Sequence, residues 1–447
     1  MRMGHEPEIK HHVRRRARVS RKSSHNRGRC RQQTEKASTS HHEQPDARRF
    51  TVHSVFLAAR RRGLPARPRV FSVAGQMAAR SWCRRFASKA ALPHSPDPGA
   101  VRAMQTAVLA IEQAVQDDIG GRGMGVLVEP GQLYAVASAL LQPHVQSVAI
   151  VTGFPCVSQH SPPTETDGFP GAMAIAHALR HCGVSPVIVT DSTSASVMHA
   201  AVKASSSSST STSTPLPDFE TVVVDAGVSS DHFNASVAPG ILSRVQHVLA
   251  IERSGPASDG HCYTMSGRNI DKDCAPLEGL FDEKLLSDAA ASAVVPFQMS
   301  TSGIGDGGNE IGMGNVLRTV KDKVNNGQTI ACTVETDHNL ACAISNWGGF
   351  ALAAALAVME GQSRRSSLKA GGELKANSSQ PLLDAAAGTV LAMAPCPVRD
   401  EAVMRAIVAA GARDGITGMN EMSVDGFDYA SVHVDKIIQL RDMAVHA

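Results

Sequence analysis

Aromatic residues are scarce in this sequence, which contains 2 Trp, 3 Tyr and 12 Phe among 447 residues. A platform of aromatic rings, on which single-stranded nucleic acids stack, is therefore not expected. Long apolar runs are also missing. The longest, Phe350 to Met359, is well short of the roughly 18 residues that a membrane-spanning helix needs. We therefore expect neither a nucleic acid nor a membrane as a partner.

Paired cysteine motifs are absent as well. The nine cysteines form no C-x-x-C pair, their number is odd, and most of them lie in apolar stretches. This pattern favours buried thiols in a reducing compartment over a framework of disulfide bonds.

Acidic residues are rare in the first 100 residues. That segment holds 23 of the 44 Lys and Arg but only 6 of the 41 Asp and Glu, so its net charge is +17 and that of the remainder is −14. Because nucleic acids are bound mostly by neutralising their phosphates, the acidic remainder argues again against such a partner. With 43% hydrophobic residues, the chain is long enough to bury one large core or two ordinary ones.

The basic leader divides at Met77. Residues 1–76 are rich in Arg, His and Ser and lack an apolar period, so we predict that they are disordered. From Met77, MAARSWCRRFASKAALPHS combines arginines with small and hydroxyl residues and has no acid before Asp97, as in transit peptides. We predict a transit peptide at 77–92, within a leader of residues 1–100, and import into the mitochondrial matrix. The alternatives are a plastid or cytoplasmic protein with an ordinary disordered tail, and translation that starts at Met77.

After the leader, short β-branched runs alternate with stretches of helical period, an order typical of an α/β sheet with helices on its faces. The predicted strands are 147–151, 186–190, 221–224, 248–251 and 329–334, and the predicted helices begin near 101, 130, 171, 347, 401 and 432. We expect a mostly parallel sheet flanked by helices in one catalytic domain, residues 101–447, with flexible insertions at 204–217 and 361–380.

Charged residues cluster where predicted strands end. Active sites in such sheets lie beyond the carboxyl ends of the strands, so we expect the site there. The residues in these positions are Glu165, Asp167, Asp191, Asp225, Glu252, Arg253, Glu335 and Asp337.

The most specific segment is SGIGDGGNEIGMGN, residues 302–315, whose six glycines allow backbone N–H groups to approach a ligand. We predict that Gly305, Gly307 and Gly308 do so. A dinucleotide loop would carry no negative charge at the pyrophosphate, whereas this loop contains Asp306 and Glu310. Together with the amide of Asn309, an acidic loop is better suited to an ammonium group or a divalent metal. A purely structural turn is the alternative.

A second acidic cluster lies in GFPCVSQHSPPTETDGFPG, from Gly153 to Gly171. Its Glu165 and Asp167 stand in a proline-stiffened loop before a predicted helix, and two carboxylates exceed what a helix cap requires. We predict that they bind Mg²⁺ or Mn²⁺ together with Asp306, if a metal is needed at all. The alternative is that this loop only caps the helix.

Further candidate residues lie in four other segments of the chain. Glu252 and Arg253, in AIERSGPASDG, are predicted to bind the substrate, with an exposed ion pair as the alternative. Arg122 and Asn346 are predicted to contact the ligand, and the guanidinium of Arg122 or Arg253 suits a carboxylate. His433 is a candidate proton carrier, and the alternative is a solvated histidine of the last helix.

Five segments together resemble the C-terminal domain of the D-glutamate cyclase family: GFP…PPTETDGFPGA, AIERSG…ASDG, STSGIGDGGNEIGMGN, ISNWGGFALA and DGITG…VDG…VHVDKI. Their order and spacing match from about residue 101 to residue 445. The family's loop residues correspond here to Asp306, Asn309 and Glu310, its acidic pair to Glu165 and Asp167, and its late histidine to His433.

The resemblance implies conversion of D-glutamate to 5-oxo-D-proline and water, by a hydro-lyase that is mitochondrial in animals. We therefore predict that Asp306, Asn309, Glu310 and His433 are catalytic. The negative charge that develops would be stabilised by backbone N–H groups of residues 305–309 or by the metal. The alternatives are a divalent-metal phosphoesterase that uses the same carboxylates and an inactive amino-acid-binding homologue. The sequence does not decide between a monomer and a homo-oligomer.

Overall fold

The computed structural model describes residues 97–121, 123–207, 219–293, 297–370 and 380–447. The predicted transit peptide and Arg122 lie outside these residues. None of the helices in the described part of the chain is long and apolar enough to cross a membrane.

Six strands form one sheet in which every neighbouring pair is parallel. They are β1 Ser147–Thr152, β2 Ser185–Asp191, β3 Glu220–Val224, β4 His247–Ile251, β5 Ser300–Gly305 and β6 His338–Ala341. Their spatial order is β3-β2-β1-β4-β5-β6, which is the order of the doubly wound dinucleotide-binding folds. The expected fold class, a parallel sheet flanked by helices, is confirmed.

The helices of the described residues lie before, between and after these strands in the chain. They are α1 Pro98–Ala114, α2 Gln132–Leu140, α3 Phe169–His181, α4 Ala195–Ser207, α5 Ser230–His232, α6 Ala238–Leu242, α7 Glu283–Ala291, α8 Leu317–Lys323, α9 Gly327–Ile330, α10 Ser345–Ala370, α11 Gln380–Met393, α12 Pro397–Ala409 and α13 Val434–Val445. A two-stranded antiparallel hairpin, β7 Ser423–Val424 with β8 Phe427–Asp428, precedes α13.

Both faces of the sheet are buried, which explains why its central strands read as continuous apolar runs. In β1, Val148 and Ile150 belong to the larger core, formed with α1 to α4 and α10 to α13. The alternate residues Ala149 and Val151 face the second core, which contains Phe233, α6 and the segment near residue 280. Side chains alternate between the two faces because the period of a strand is 2.

Helix α10 is the centre of the larger core. Its residues 351–357 are all inaccessible to solvent, and Trp347 and Phe350 are almost so. It crosses α3 where Gly349 meets Gly171: a Cβ atom at Gly349 would lie 2.5 Å from the Cα atom of Gly171. The many small residues of α10 therefore allow close packing against α3.

The observed strands differ from the predicted ones in the second half of the sheet. The predicted strand 329–334 is wrong, because Thr329 and Ile330 end the short helix α9 and residues 331–336 are irregular. The two strands that follow β4 are instead β5 and β6, which were not predicted from the sequence. Their sequences, STSGIG and HNLA, are poor in β-branched apolar residues, and the ladders that join β5 to β4 and β6 to β5 hold them extended.

The two expected insertions are partly helical. Residues 204–207 form the last turn of α4, and residues 361–370 continue α10 by almost three turns. The remainder of the first insertion up to residue 217 and residues 371–379 lie outside the described part of the chain. The first helix starts at Pro98, where the side chain of Asp97 accepts a hydrogen bond from the N–H of Gly99.

Candidate active site

Three carboxylates meet at the carboxyl edge of the sheet. Asp167 comes from the loop after β1, Glu252 follows β4 directly, and Asp306 follows β5. One oxygen from each lies within 4.8 Å of the oxygens of the other two. Strands β1 and β4 are adjacent although they are not consecutive in the chain, so the cluster lies at the switch point where doubly wound sheets bind ligands.

Asp167 is held by the first turn of α10. Its Oδ2 accepts a hydrogen bond from the N–H of Ser345 at 3.0 Å, and its Oδ1 accepts one from the N–H of Asn346 at 2.8 Å. The N–H of Ser345 also donates to Oδ2 of Asp306 at 3.2 Å. The positive end of the α10 dipole therefore faces two of the carboxylates and offsets part of their repulsion.

Burial and mutual repulsion hold protons in this cluster. Burial, followed by the charge of Asp306, raises the pKa of Asp167 to about 8, although its N–H donors act in the opposite direction. Burial also raises the pKa of Glu252 well above its usual value, and Asp306 and Glu310 add to that shift. Both groups thus favour the neutral form unless a cation compensates their charge.

The glycine loop binds its own glutamate. The carboxylate of Glu310 accepts hydrogen bonds from the N–H of Asp306 at 3.2 Å, of Gly307 at 2.6 Å and of Gly308 at 2.7 Å. Burial, together with the charge of Asp306, raises the pKa of Glu310 to about 7 against these donors. The N–H groups predicted to receive a ligand at Gly307 and Gly308 are thus already engaged, and the geometry does not favour an oxyanion hole there.

Two other residues of the loop have separate environments. Gly305 is the last residue of β5, and its carbonyl accepts a hydrogen bond from the N–H of Cys342. Asn309 donates from Nδ2 to the carbonyl of Tyr263 at 2.7 Å, while its buried Oδ1 has no partner among the described residues. Of the predicted loop residues, Asn309 therefore retains an acceptor directed at no other group.

Glu165 is buried beside the cluster but is not one of the three converging groups. Its carboxyl group forms a hydrogen bond with the thiol of Cys156. Burial, followed by the charge of Asp167, raises the pKa of Glu165 well above its usual value. The predicted metal set of Glu165, Asp167 and Asp306 thus differs from the observed cluster, in which Glu252 takes the place of Glu165. The sequence could not distinguish them, because both glutamates follow a strand.

Arg253, predicted to be a substrate clamp, is instead a buried structural residue. Its guanidinium forms an ion pair with Asp191 and donates to the carbonyls of Gly153 at 3.0 Å and Ala275 at 2.7 Å. The side chain is 1% exposed. The alternative, an exposed ion pair, also differs from the structure, because this pair is buried and its acid is Asp191.

Asn346 also differs from its predicted role. Its Oδ1 accepts hydrogen bonds from the N–H of Gly168 and of Gly171, and its Nδ2 donates to the carbonyl of Thr166. Both ends of the amide are therefore bonded to the loop that carries Asp167. It positions this loop and has no hydrogen-bonding capacity left on Oδ1 for a substrate.

His433 packs away from the carboxylates. Its Nδ1 accepts a hydrogen bond from the indole N–H of Trp347 at 3.0 Å, and its ring stacks on Tyr429. Burial lowers its pKa to about 4, so the ring stays neutral near pH 7. None of its described contacts includes Asp167, Glu252 or Asp306, and it is a buried residue where the alternative interpretation had expected a solvated one.

Ser345 was missed by the sequence reasoning. Its N–H joins Asp167 to Asp306, and its buried hydroxyl has no partner among the described residues. The signal was its place before Asn346 at the start of an apolar helix, where serine is common. Only the packing of α10 against the loop after β1 makes its contacts functional.

This fold and site define a doubly wound α/β protein with a buried carboxylate centre at its switch point. Residues 111–441 match the family model described as D-glutamate cyclase-like, C-terminal. The mitochondrial D-glutamate cyclase of Homo sapiens is 32% identical over 336 residues, which are 74% of this chain and 51% of that protein. The chain belongs to the D-glutamate cyclase-like, C-terminal family, as the resemblance predicted, and spans about half the length of this curated relative.

Proposed function

We propose that this protein is an enzyme that closes D-glutamate to 5-oxo-D-proline and releases water. The observation that carries the proposal is the convergence of Asp167, Glu252 and Asp306 at the ligand-binding edge of the sheet, in a chain of this family. The substrate is taken from the name of the human relative.

The reaction forms a bond between the α-nitrogen and Cδ, the carbon of the γ-carboxylate, and breaks one bond from that carbon to oxygen. Both reacting groups belong to one molecule, so correct folding of the substrate supplies an effective concentration of about 10⁵ M or more. Two protons leave the nitrogen of the ammonium group and two reach the departing oxygen, so the protein must accept and deliver them and also stabilise charge on the γ-carboxylate.

Two parts of the described site suit these tasks. A carboxylate of the cluster attracts the ammonium group of the substrate and accepts its proton. Glu165 stands beside the cluster with the thiol of Cys156 as its side-chain partner, so we assign it the transfer of a proton to the departing oxygen. Glu310, which is held by three N–H groups, acts by shaping the loop that carries Asp306.

The full chain should be incubated with D-glutamate, L-glutamate and p-nitrophenyl phosphate, each with Mn²⁺ and with EDTA. Chiral chromatography of 5-oxoproline and release of p-nitrophenol report the two activities. We expect 5-oxo-D-proline from D-glutamate, with Asp306→Asn as the inactive control. Hydrolysis of the ester without lactam formation would favour the phosphoesterase, which the acidic cluster also suits. Binding of D-glutamate without any product would indicate an inactive homologue.

We also propose that the protein acts in the mitochondrial matrix. Two observations support this location. The human relative is named as a mitochondrial enzyme, and segment 77–92 of this chain is rich in arginine.

A further inference from the structure

We propose that Asp167, Glu252 and Asp306 bind one divalent cation that prefers oxygen ligands, and that this cation receives the γ-carboxylate of the substrate. The existence of the site is independent of the reaction. The role of the cation in binding a γ-carboxylate rests on the proposed lactam-forming function.

The arrangement of the oxygens fits such an ion. Each of the three carboxylates offers an oxygen within 4.8 Å of the other two. Ligands at 2.0–2.6 Å from Mg²⁺ or Ca²⁺ are separated by at most about 4–5 Å across the ion. The described cluster contains carboxylate oxygens and no sulfur or imidazole, and such a donor set selects Mg²⁺, Mn²⁺ or Ca²⁺ over softer metals.

Glu252 is the residue that points most directly to a ligand. It is 6% exposed, yet its Oε2 has no hydrogen-bond partner among the described residues. A buried polar atom without a partner costs about 1–3 kcal/mol, and more when it is charged. A cation bound at this oxygen would remove that cost.

The backbone at Glu252 is also strained. Glu252 has a φ of 42°, in the left-handed region that residues with a side chain rarely adopt. The facing loop makes room for it, since a Cβ atom at Gly168 would lie 2.9 Å from the Cβ atom of Glu252. Such strain persists where the surrounding structure imposes it, which is common at binding sites.

The balance of charge also favours a cation. Glu165 and Glu310 are buried close to the three carboxylates, and Arg253, which follows Glu252 in the chain, is paired with Asp191. D-glutamate carries a net negative charge, and its single ammonium group cannot offset three carboxylates and also leave its γ-carboxylate unrepelled. A divalent cation satisfies both needs.

The test is a titration of the full chain, freed of metal with EDTA and dialysed, with Mn²⁺. Electron paramagnetic resonance counts free Mn²⁺, and calorimetry gives the affinity. We expect one saturable site per chain that Mg²⁺ and Ca²⁺ compete for. Glu252→Gln and Asp306→Asn should each weaken binding by about 100-fold or more, because loss of a ligand exceeds the 10–100-fold effect of an outer neighbour.

Two variants provide matched comparisons. Asp400→Asn removes a carboxylate that is equally buried but bonded to Tyr429, and it should leave Mn²⁺ binding unchanged. Glu165→Gln tests the ligand set predicted from the sequence and should weaken binding by about 10-fold or less. Circular dichroism and melting temperature verify that each variant is folded.

The outcomes separate the site from the reaction. Absence of saturable Mn²⁺ binding, or equal losses in Glu252→Gln and Asp400→Asn, would overturn the site. If Glu165→Gln lost as much affinity as Glu252→Gln, the proposed ligand set would be wrong. Full conversion of D-glutamate in EDTA would overturn the role of the cation and leave the lactam-forming function intact. Mn²⁺ bound at the site without any lactam product would support the site and contradict the proposed function.

Discussion

Asp167 and Asn346 each cap the helix that begins next to the other. Asp167 lies just before α3, and its carboxylate accepts the N–H of Asn346 in the first turn of α10 at 2.8 Å. In return, Oδ1 of Asn346 accepts the N–H groups of Gly168 and Gly171 at the start of α3, at 3.0 Å and 2.9 Å. The exchange joins two helix N-termini and fixes the direction of one carboxylate of the candidate site.

Replacement of Asn346 by alanine should therefore affect stability and the site together. In Asn346→Ala the buried N–H of Gly171 loses its acceptor, while that of Gly168 keeps Oδ1 of Asp167, and we expect a loss of about 1–3 kcal/mol of unfolding free energy. Mn²⁺ affinity and turnover should also fall, because the loop that carries Asp167 is released. Urea denaturation and Mn²⁺ titration measure the two effects.

Asn315 provides the control for that variant. Its amide exchanges two hydrogen bonds with the backbone of Thr336 and has no described contact with Asp167. Asn315→Ala should lower stability and leave Mn²⁺ affinity as it is. If Asn346→Ala behaved in the same way, its role would be structural only.

Asp306 and Glu310 should respond differently to loss of charge, although they belong to one loop. Asp306→Asn keeps the shape and removes a charge of the site, so turnover should fall by about 10² or more, roughly 2.7 kcal/mol of transition-state stabilisation, while the melting temperature stays similar. Glu310→Gln replaces one accepting oxygen by an NH₂ group that faces the N–H of either Gly307 or Gly308, so its melting temperature should fall. Unchanged turnover in Asp306→Asn would contradict a catalytic role.

The ion pair between Arg253 and Asp191 should contribute to folding and not to substrate affinity. Arg253→Met leaves the buried carboxylate of Asp191 without its partner, and we expect a loss of about 3–5 kcal/mol in urea denaturation. Arg244→Met breaks an exposed pair with Glu220 and should cost less than about 1 kcal/mol. Similar losses of unfolding free energy in the two variants would show that the buried pair contributes no more to stability than the exposed one.

The buried carboxyl of Asp400 should make stability depend on pH. Burial raises its pKa to about 7 in the folded protein, against 3.8 for an unperturbed aspartate. Between these values the folded state holds a proton that the unfolded state has released, so the contribution of Asp400 to stability decreases as pH rises and is lowest above about 7.

Asp400→Asn removes this dependence and can keep the hydrogen bond from the hydroxyl of Tyr429. The melting temperature of the variant, minus that of the wild type, should therefore become more positive from about pH 4.5 to pH 8. Glu401→Gln, at the exposed end of an ion pair with Arg405, is the comparison and should show no such trend. A difference for Asp400→Asn that is constant with pH would contradict the expectation.

The leader prediction can be tested without the enzyme. A fluorescent reporter fused to residues 77–100 should enter mitochondria and lose its leader near Phe86, because Arg84 and Arg85 precede a bulky and then a small residue. The same fusion with Arg80, Arg84 and Arg85 replaced by glutamine should remain outside. Cytosolic fluorescence of the unaltered fusion would exclude mitochondrial import.

The positions of strands β1 to β4 along the chain were predicted from the sequence, because each is a β-branched run with turn residues on both sides. Strands β5 and β6 did not, since STSGIG and HNLA have little local preference for a strand. Their extended form comes from the ladders to β4 and to each other. The wrong prediction of a strand at 329–334 has the opposite explanation. Its apolar residues suit a strand, but they are buried by packing and pair with no strand of the described residues.

By itself, the sequence determined the α/β class, the basic leader, the family and the expectation of an acidic site beyond the strand ends. These depend on local period, charge and motif, which are written along the chain. Only the tertiary structure decided that Glu252 and not Glu165 joins Asp167 and Asp306, that Arg253 pairs with Asp191, and that Glu310 fills the glycine loop. Residues distant in the chain meet through strand order and helix crossing, and the partner that each charged group finds there is not encoded in its immediate neighbours.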